Sequence, residues 1–272
     1  LIAEQTVPKL FAAGLITGLI LTALYMVAAK VMIAWKPQWA PRDDSNPGWR
    51  ARIGDVLASW DVMVLFAVTI GGLYAGWFSP TEAAAVGAFG ALAIGVVRGQ
   101  LSFAAIRESF AESIGTTCML FVIVICAMLF SYFVVQTSLP GLLVAWAKSW
   151  ALGPIGLIVA LIVFYIILGC FLDGLGMILI TVPVFLPLVL ASGFDPIWFG
   201  VLLVILIELG LIHPPVGMNI FVIQAQVPDV PILRIYQGIL PFLVAPAVLL
   251  VLLLIFPEIA LWLPKTLFPS RS

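Results

Sequence analysis

The chain has 272 residues, of which 64% are hydrophobic and 9% charged, and its formal net charge at pH 7 is −1. In soluble domains about a quarter of the residues are charged. The much lower charged fraction of this chain indicates that lipid rather than water is its main solvent. The nearly neutral charge excludes a basic surface for nucleic acid. Apolar runs near or above the roughly 20 residues that cross a hydrocarbon core predict an all-α integral membrane protein, a polytopic helical bundle, because barrel strands would alternate.

The first part of the chain predicts four membrane helices and one helix at the lipid surface. The predicted spans are Leu10–Trp35, Val56–Trp77, Thr81–Val97 and Ser113–Gln136. A loop rich in Pro, Gly and charge follows the first span, and eight of the twelve basic residues fall on its side of the membrane. The positive-inside rule therefore places this loop in the cytoplasm. Residues 137–154 mix Pro and Gly with Trp and Lys, which predicts an interfacial helix.

Several motifs favour packing over chemistry. Ser79-Pro80-Thr81-Glu82 is typical of a helix start with a capping box. The three cysteines, Cys118, Cys126 and Cys170, lack CxxC spacing and are expected to behave as small hydrophobic residues. Neither a Walker A, a Rossmann nor an H-E-x-x-H pattern occurs, so we expect no enzyme and no cofactor.

Two short apolar arms then flank a glycine-rich segment. The arms, Ile155–Leu168 and Met177–Leu190, have about 14 residues each, fewer than a span needs. This pattern predicts a re-entrant hairpin with Gly169–Gly176 at its tip. Asp173 lies in the tip, and ionisable residues inside a membrane are usually functional. If the arms are complete spans, Asp173 is instead an exposed turn residue.

The next apolar stretch, Trp198–Gln226, predicts a discontinuous helix. Gly210–Gly217 interrupts it, and Pro214 and Pro215 remove two backbone donors. Broken helices at membrane depth line protein or a wet cavity, and transporters pair such elements near the midplane. A break therefore marks a candidate ion and solute site. A last span, Ile235–Trp262, completes the chain.

Polar side chains near the second break have competing interpretations. Glu208 at the end of a half-helix is disfavoured by the helix dipole without a partner, and it is either a structural hydrogen-bonding residue or an ion ligand. His213 has no second ligand at helical spacing, which argues against a metal site or a nucleophilic role. Asn219 offers a donor and an acceptor, either to a substrate carboxylate or to the broken backbone.

Three segments together carry a family resemblance. GGLYAGWFSPTEAAAVGAF (Gly71–Phe89), LGCFLDGLGMILITVPVFLPLV (Leu168–Val189) and FGVLLVILIELGLIHPPVGMNIFV (Phe199–Val222) resemble the large membrane subunit of tripartite ATP-independent periplasmic (TRAP) transporters. The resemblance extends from Lys9 to Phe268. It implies an elevator-type fold with inverted repeats, in the bacterial inner membrane.

The resemblance also implies a function, partners and a division of the chain. Such subunits import an organic acid, such as a C4-dicarboxylate-like carboxylate, by Na⁺ symport. A periplasmic solute-binding protein delivers the carboxylate, and a small membrane subunit accompanies the large one. Na⁺ is then the coupling ion rather than a cofactor. Residues 1–152 are expected to be scaffold-like and residues 153–272 transport-domain-like.

Mapping the family's motifs onto this sequence gives two sets of site residues. The expected Na⁺ ligands are Gly169, Asp173, Gly174, Gly210 and Gly217. The expected substrate contacts are His213, Pro214, Pro215, Val216, Gly217 and Asn219. This sequence departs from the family at two positions, His213 and Ser79, where the family commonly has Thr. The exchange at Ser79 is conservative, whereas the one at His213 is expected to alter the substrate or ion preference.

The family's first half has no counterpart here, so we expect a C-terminal portion of a longer subunit that does not transport alone. Two alternatives remain. One is a proton-coupled or exchanging elevator-type anion transporter, which would keep the broken helices without strict dependence on sodium. The other is a non-transporting membrane assembly fragment.

Overall fold

The fold is helical wherever the structure describes it. The computed structural model describes residues 6–37, 48, 49, 54, 58–149, 153–172, 174–214 and 217–268. These ranges contain eleven helices longer than one turn and no strand, which confirms the predicted all-α membrane class. The helices are α1 (Val7–Trp35), α2 (Trp60–Tyr74), α3 (Pro80–Val97), α4 (Phe103–Gln136), α5 (Leu139–Ser149), α6 (Pro154–Gly169), α7 (Gly174–Ala191), α8 (Pro196–Ile212), α9 (Met218–Gln226), α10 (Ile232–Ile255) and α11 (Glu258–Leu267).

Five of these helices are long and apolar enough to cross a membrane, namely α1, α3, most of α4, α7 and α10. The chain divides into two compact units. One comprises Leu1–Trp39 with Val122–Ser272, and the other Ala40–Phe121. The first unit packs α1 with helices from the second half of the chain. The predicted functional division after residue 152 stays a prediction.

The centre of the larger unit is α8. Eleven of its seventeen residues are buried, and α1, α6, α7, α10 and α11 pack around it. Trp198, near its start, is 1% exposed, and its indole Nε1 donates a hydrogen bond of 3.0 Å to the carbonyl of Leu253 on α10. Burying this large ring with its donor satisfied anchors α8 to the last long helix.

In the smaller unit, polar contacts lie at the ends of the helices. Arg98, just after α3, lies 2.7 Å (Nε to Oδ2) from the buried Asp61 in the first turn of α2, and its guanidinium also donates to the Ala58 carbonyl. At the start of α3 the predicted capping box is present: the Glu82 N–H donates to Ser79 Oγ, and the Ser79 N–H donates to the Glu82 carboxylate. Polar contacts therefore fix both ends of α3.

Several predicted boundaries are wrong. The second span, α2, ends at Tyr74 rather than at Trp77, and its predicted start at Val56 lies outside the described residues. Helix α4 begins ten residues before the predicted Ser113, so that Arg107 is helical rather than part of a turn. The last span ends at Ile255 and a separate α11 follows, because Pro257 supplies no N–H to continue the helix.

The prediction for the length of the hairpin arms also needs correction. The arms α6 and α7 have 16 and 18 residues rather than about 14, and α7 reaches the length of a span. Arm length therefore no longer separates a re-entrant hairpin from two spans. Cys118 and Cys126 are exposed on α4, and Cys170 is buried.

Candidate functional site

The discontinuous helix predicted between residues 198 and 226 is present as α8 and α9. The backbone leaves the helical conformation at His213, with φ −84° and ψ 136°, and helix resumes at Met218. Pro214 and Pro215 have no N–H, so the carbonyls of Gly210 and Leu211 lack their usual partner four residues on. The break therefore leaves backbone oxygens available to a ligand.

Gly217 closes the break in a conformation that favours glycine. Its φ is +58°, in the left-handed region. A Cβ at this position would lie 3.2 Å from the His213 carbonyl oxygen and 3.3 Å from the Ile212 carbonyl carbon. A side chain here would both strain the backbone and press on the end of α8.

The hairpin tip is a second interruption of helix, and it lies close to the break between α8 and α9. α6 ends at Gly169, and the last turn tightens as the Phe171 and Leu172 N–H groups both donate to the Leu168 carbonyl at 3.0 Å. α7 begins at Gly174. Asp173, predicted as a Na⁺ ligand, lies outside the described residues.

The two breaks meet through backbone contact between glycines. A Cβ built on Gly210 would lie 2.8 Å from the Gly169 Cα, and one on Gly169 would lie 3.0 Å from the Gly210 Cα. A Cβ on Gly174 would meet Ile207 at 2.6 Å. α6 and the start of α7 therefore lie directly against the last turns of α8, as paired broken elements require.

Cys170 joins the tip to the unwound segment, which the sequence did not reveal. Its Sγ lies 3.7 Å from the Pro214 carbonyl oxygen and 3.9 Å from that of His213, and 3.4 Å from the Ile166 carbonyl of its own helix. A thiol is a weak donor. These contacts place the carbonyl oxygens of the break at the hairpin tip.

The structure brings several of the predicted residues together and leaves three undescribed. Gly169, Gly210 and Gly217 are buried, Gly174 and Pro214 are partly buried, and Asn219 is exposed in the first turn of α9. Pro215 and Val216 lie, like Asp173, outside the described residues. Six of the residues assigned to Na⁺ or substrate by sequence thus share one region, together with His213.

His213 contributes a polar atom to this region. Its side chain is partly buried, and Nδ1 is buried without a hydrogen-bond partner among the residues described. A buried polar atom of this kind needs a water, an ion or another partner. Glu208, one and a half turns before His213, is exposed and points to a cavity rather than to the break.

A buried hydrogen-bond chain connects the arms of the hairpin. The Tyr165 hydroxyl on α6 donates to Thr181 Oγ1 on α7 at 2.7 Å, and Thr181 in turn donates to the Met177 carbonyl at 2.6 Å. Three phenylalanine rings pack edge-on against the Tyr165 ring. Their centroids lie 5.8 Å (Phe164), 5.9 Å (Phe185) and 6.4 Å (Phe199) from its centroid. A Tyr inside an apolar helix indicates that its hydroxyl needs a hydrogen-bond partner, although the sequence alone does not identify that partner.

The chemistry of this region is that of oxygen donors and backbone dipoles. Among the described residues, nowhere do three His, Cys, Asp or Glu side chains lie together as a metal site would require. The carbonyl oxygens at the C-terminal end of α8 suit a monovalent cation, and the N–H groups at the start of α9 suit an anion.

Comparison with known proteins gives the same family over most of the chain. Residues 1–259 match the family model described as tripartite ATP-independent periplasmic transporter, DctM component. The chain is 33% identical over 265 residues to the C4-dicarboxylate TRAP transporter large permease protein DctM of Pseudomonas aeruginosa, covering 97% of this chain and 61% of that protein.

Two further relatives are named for other substrates. The sialic acid TRAP transporter large permease protein SiaM of Vibrio cholerae is 29% identical over 97% of this chain and 61% of its own length. The isethionate TRAP transporter permease protein DctMQ of Oleidesulfovibrio alaskensis is 32% identical over 93% of this chain and 39% of its own length. The chain therefore spans less than two thirds of the length of these relatives.

Proposed function

We propose, since the chain belongs to the DctM family of tripartite ATP-independent periplasmic transporters, that it carries part of the ion and solute site of a Na⁺-driven importer of small organic acids. Its relatives are transporters rather than enzymes. The apolar helices and the family together indicate a multi-pass protein of the bacterial inner membrane.

The observation that carries the proposal is the meeting of the two breaks at Gly169 and Gly210. The carbonyl oxygens of Gly210 and Leu211 have no N–H four residues on, and those of His213 and Pro214 lie beside the hairpin tip. Oxygen donors at the C-terminal end of a half-helix are the groups with which broken-helix transporters coordinate Na⁺. We assign Na⁺ to this end of the break, with Gly169, Gly174, Gly210 and Gly217 providing close backbone approach.

The anion is assigned to the other end of the break. The N–H groups of Met218 and Asn219 begin α9 and have no carbonyl four residues back within it, whereas the N–H of Ile220 donates to the Gly217 carbonyl at 2.8 Å. The helix dipole adds about half a positive charge at this end. Asn219 is exposed in this first turn and its amide can donate to a carboxylate. The substrates for which the relatives are named, a C4-dicarboxylate, sialic acid and isethionate, are all organic acids or their anions.

The partners follow from the same family. We propose that a periplasmic solute-binding protein delivers the acid and that a small membrane subunit accompanies this one. Transport by an elevator movement belongs to the same proposal.

Replacement of the cation tests the coupling. Uptake of a labelled C4-dicarboxylate by the assembled transporter with its binding protein is measured at fixed pH, with a gradient of Na⁺ or an equal gradient of K⁺. We expect uptake only with Na⁺. Equal uptake with either cation, together with uptake driven by a pH gradient in a parallel assay without Na⁺, would support a proton-coupled transporter and overturn the assignment of Na⁺.

A substitution then tests the anion assignment. Asn219→Ala should weaken solute affinity by about 1–3 kcal/mol, the cost of leaving a buried charged group short of one hydrogen bond, with little effect on the Na⁺ concentration needed. Gln226→Ala, at the far end of α9, serves as the control. An unchanged solute affinity in correctly folded Asn219→Ala would remove Asn219 from the site.

A further inference from the structure

One face of α11 is buried in the larger unit. The buried residues of this helix are Ala260, Leu261 and Pro264, and they share a face because they lie one, three or four positions apart. α11 packs against α1, α8 and α10, and Ala260 and Leu261 belong to the same apolar core as Trp198. The helix is therefore a packed part of this unit.

The opposite face carries one aromatic residue between two charges. Glu258, Trp262 and Lys265 follow one another at intervals of four and three residues, so they form one stripe along the helix. Trp262 is 58% exposed, and the side chains of Glu258 and Lys265 are 66% and 56% exposed. Lys265 Nζ donates a hydrogen bond of 2.6 Å to Glu258 Oε1. We call these three residues the α11 stripe.

Three helix ends meet at the level of α11. α10 has 24 residues, a length of about 36 Å that crosses a hydrocarbon core of roughly 30 Å, and α11 follows it after Pro257. The start of α8 lies beside the end of α10, because Trp198 donates to the Leu253 carbonyl. The start of α1 is there too, since a Cβ built on Gly200 would lie 3.0 Å from Leu10. α11 therefore lies at one end of the helical core.

Charged residues mark this level as a boundary of the membrane. Four of them lie at these helix ends, two on α11 and one each at the starts of α1 and α8: Lys9, Asp195, Glu258 and Lys265. Between Arg234, in the first turn of α10, and Glu258 the sequence has no charged residue. Ionisable groups are costly in the hydrocarbon core, so α11 lies at headgroup level. By the predicted topology, this is the periplasmic boundary.

The α11 stripe offers the groups that a phospholipid at this level contacts. The Lys265 ammonium has three N–H donors, and Glu258 accepts one of them. The exposed indole of Trp262 can donate its N–H to a headgroup oxygen while its ring faces acyl chains, as in the aromatic belts of membrane proteins. Ile255 and Phe256, just before α11, are apolar and more than half exposed, which suits acyl chains.

The charges of the stripe favour lipid over a soluble partner protein. One Glu and one Lys in an ion pair give no net charge, so the stripe lacks the field of one sign that steers a soluble protein to its docking surface. The stripe is also not an apolar face that needs a protein cover, because two of its three residues are charged.

We propose that α11 lies along the membrane surface and that the α11 stripe binds the headgroup layer of the bilayer, with Trp262 at the boundary of the acyl chains and Lys265 on a lipid phosphate. Because the other face of α11 is packed in the core, this contact fixes the depth of the adjoining ends of α1, α8 and α10 in the bilayer. The proposal is independent of the ion and solute site, which lies at the other end of α8.

Quenching by labelled lipids in the assembled transporter tests the depth. A fluorescent dansyl amino acid replaces Trp262, and in a control it replaces Val244, which is 59% exposed near the middle of α10. The protein is reconstituted in vesicles of phosphatidylethanolamine and phosphatidylglycerol that carry a nitroxide either on the headgroup or near the end of an acyl chain. We expect the headgroup label to quench position 262 more strongly and the acyl label to quench position 244 more strongly.

The other outcomes of this experiment contradict the proposal. Stronger quenching of position 262 by the acyl label would place α11 inside the hydrocarbon core. Quenching by neither lipid label would mean that protein covers the stripe or that it lies in water, and aqueous iodide, which quenches only the second, distinguishes these two cases.

Charge variants of the labelled protein test the contact with phosphate. Lys265→Glu should lower headgroup quenching at position 262 by about threefold or more, because a carboxylate repels the phosphate, whereas Lys265→Arg should preserve it. Arg234→Glu, at the opposite end of α10, is the matched control and should leave it unchanged. Folding should be intact in all three variants, since both residues are exposed. Equal headgroup quenching in Lys265→Glu and the unsubstituted residue would remove Lys265 from the lipid contact and overturn the proposal.

Discussion

Helices α8 and α3 differ in how many of their residues other parts of the protein cover. Eleven of seventeen residues of α8 are buried, compared with one of eighteen, Ala83, in α3. α8 is surrounded by five helices and ends in unwound backbone, whereas α3 is an uninterrupted helix fixed by a capping box and the Asp61–Arg98 ion pair. Dense protein packing can shield carbonyl groups that lipid would leave without partners, so a helix is interrupted where other helices cover it.

The largest effect is expected where backbone touches backbone. Gly210→Ala should lower the stability of the folded protein by about 1–3 kcal/mol, because the new Cβ would meet the Gly169 Cα, which has no flexible side chain to move. Gly115→Ala on α4 is the matched control, since a Cβ there meets nothing within 4 Å. Thermal unfolding in detergent measures both, and equal midpoints for the two variants would show that the crossing is not tightly packed.

A middle-sized effect is expected from the hydrogen bond between the hairpin arms. Tyr165→Phe removes the hydroxyl that donates to Thr181, at a cost of about 0.5–1.5 kcal/mol, while Thr181 keeps its own bond to the Met177 carbonyl. Tyr132→Phe, on an exposed ring of α4, should be neutral. The same unfolding assay compares them, and a neutral Tyr165→Phe would mean that packing of the aromatic rings alone joins the arms.

The smallest effect is expected in the sparsely packed unit. A double-mutant cycle with Asp61→Asn and Arg98→Gln should give a coupling energy of at most about 1 kcal/mol, since one partner of the pair reaches solvent. The cycle for Lys265 and Glu258, both more than half exposed, should give still less. A coupling above that of the hairpin's hydrogen bond would reverse the contrast between the two units.

The sequence carries the positions of the breaks but not the contacts between them. Pro214, Pro215 and Gly217 indicate the interruption directly, because missing donors and a left-handed residue are local properties. The capping box at Ser79 is local in the same way. The contact of Gly169 with Gly210 joins positions 41 residues apart in sequence. No local sequence pattern distinguishes these two packed glycines from Gly14 or Gly115, which have open space around them.

Some boundaries were missed although a signal was present. Pro257 was available to separate α11 from α10, but the apolar run across it outweighed a single proline in the prediction. The sequence pattern places Pro154 in the interfacial segment and Gly174 in the hairpin tip, so the predicted arms are shorter than α6 and α7, which these two residues begin. Proline at a first helical position is favourable, so it can begin an arm as well as end one.

The central claim, that the break between α8 and α9 holds the coupling ion, is tested most directly by two glycines that both have positive φ. Gly217 and Gly193 both have positive φ, +58° and +85°, but only Gly217 lies at the break, and Gly193 has open space around it. Ala at either position carries the left-handed penalty of about 1 kcal/mol or more. Na⁺-dependent uptake by the assembled transporter is measured for both variants. We predict that Gly217→Ala raises the half-saturating Na⁺ concentration at least tenfold and that Gly193→Ala leaves it unchanged; equal Na⁺ dependence in two folded variants would contradict the account.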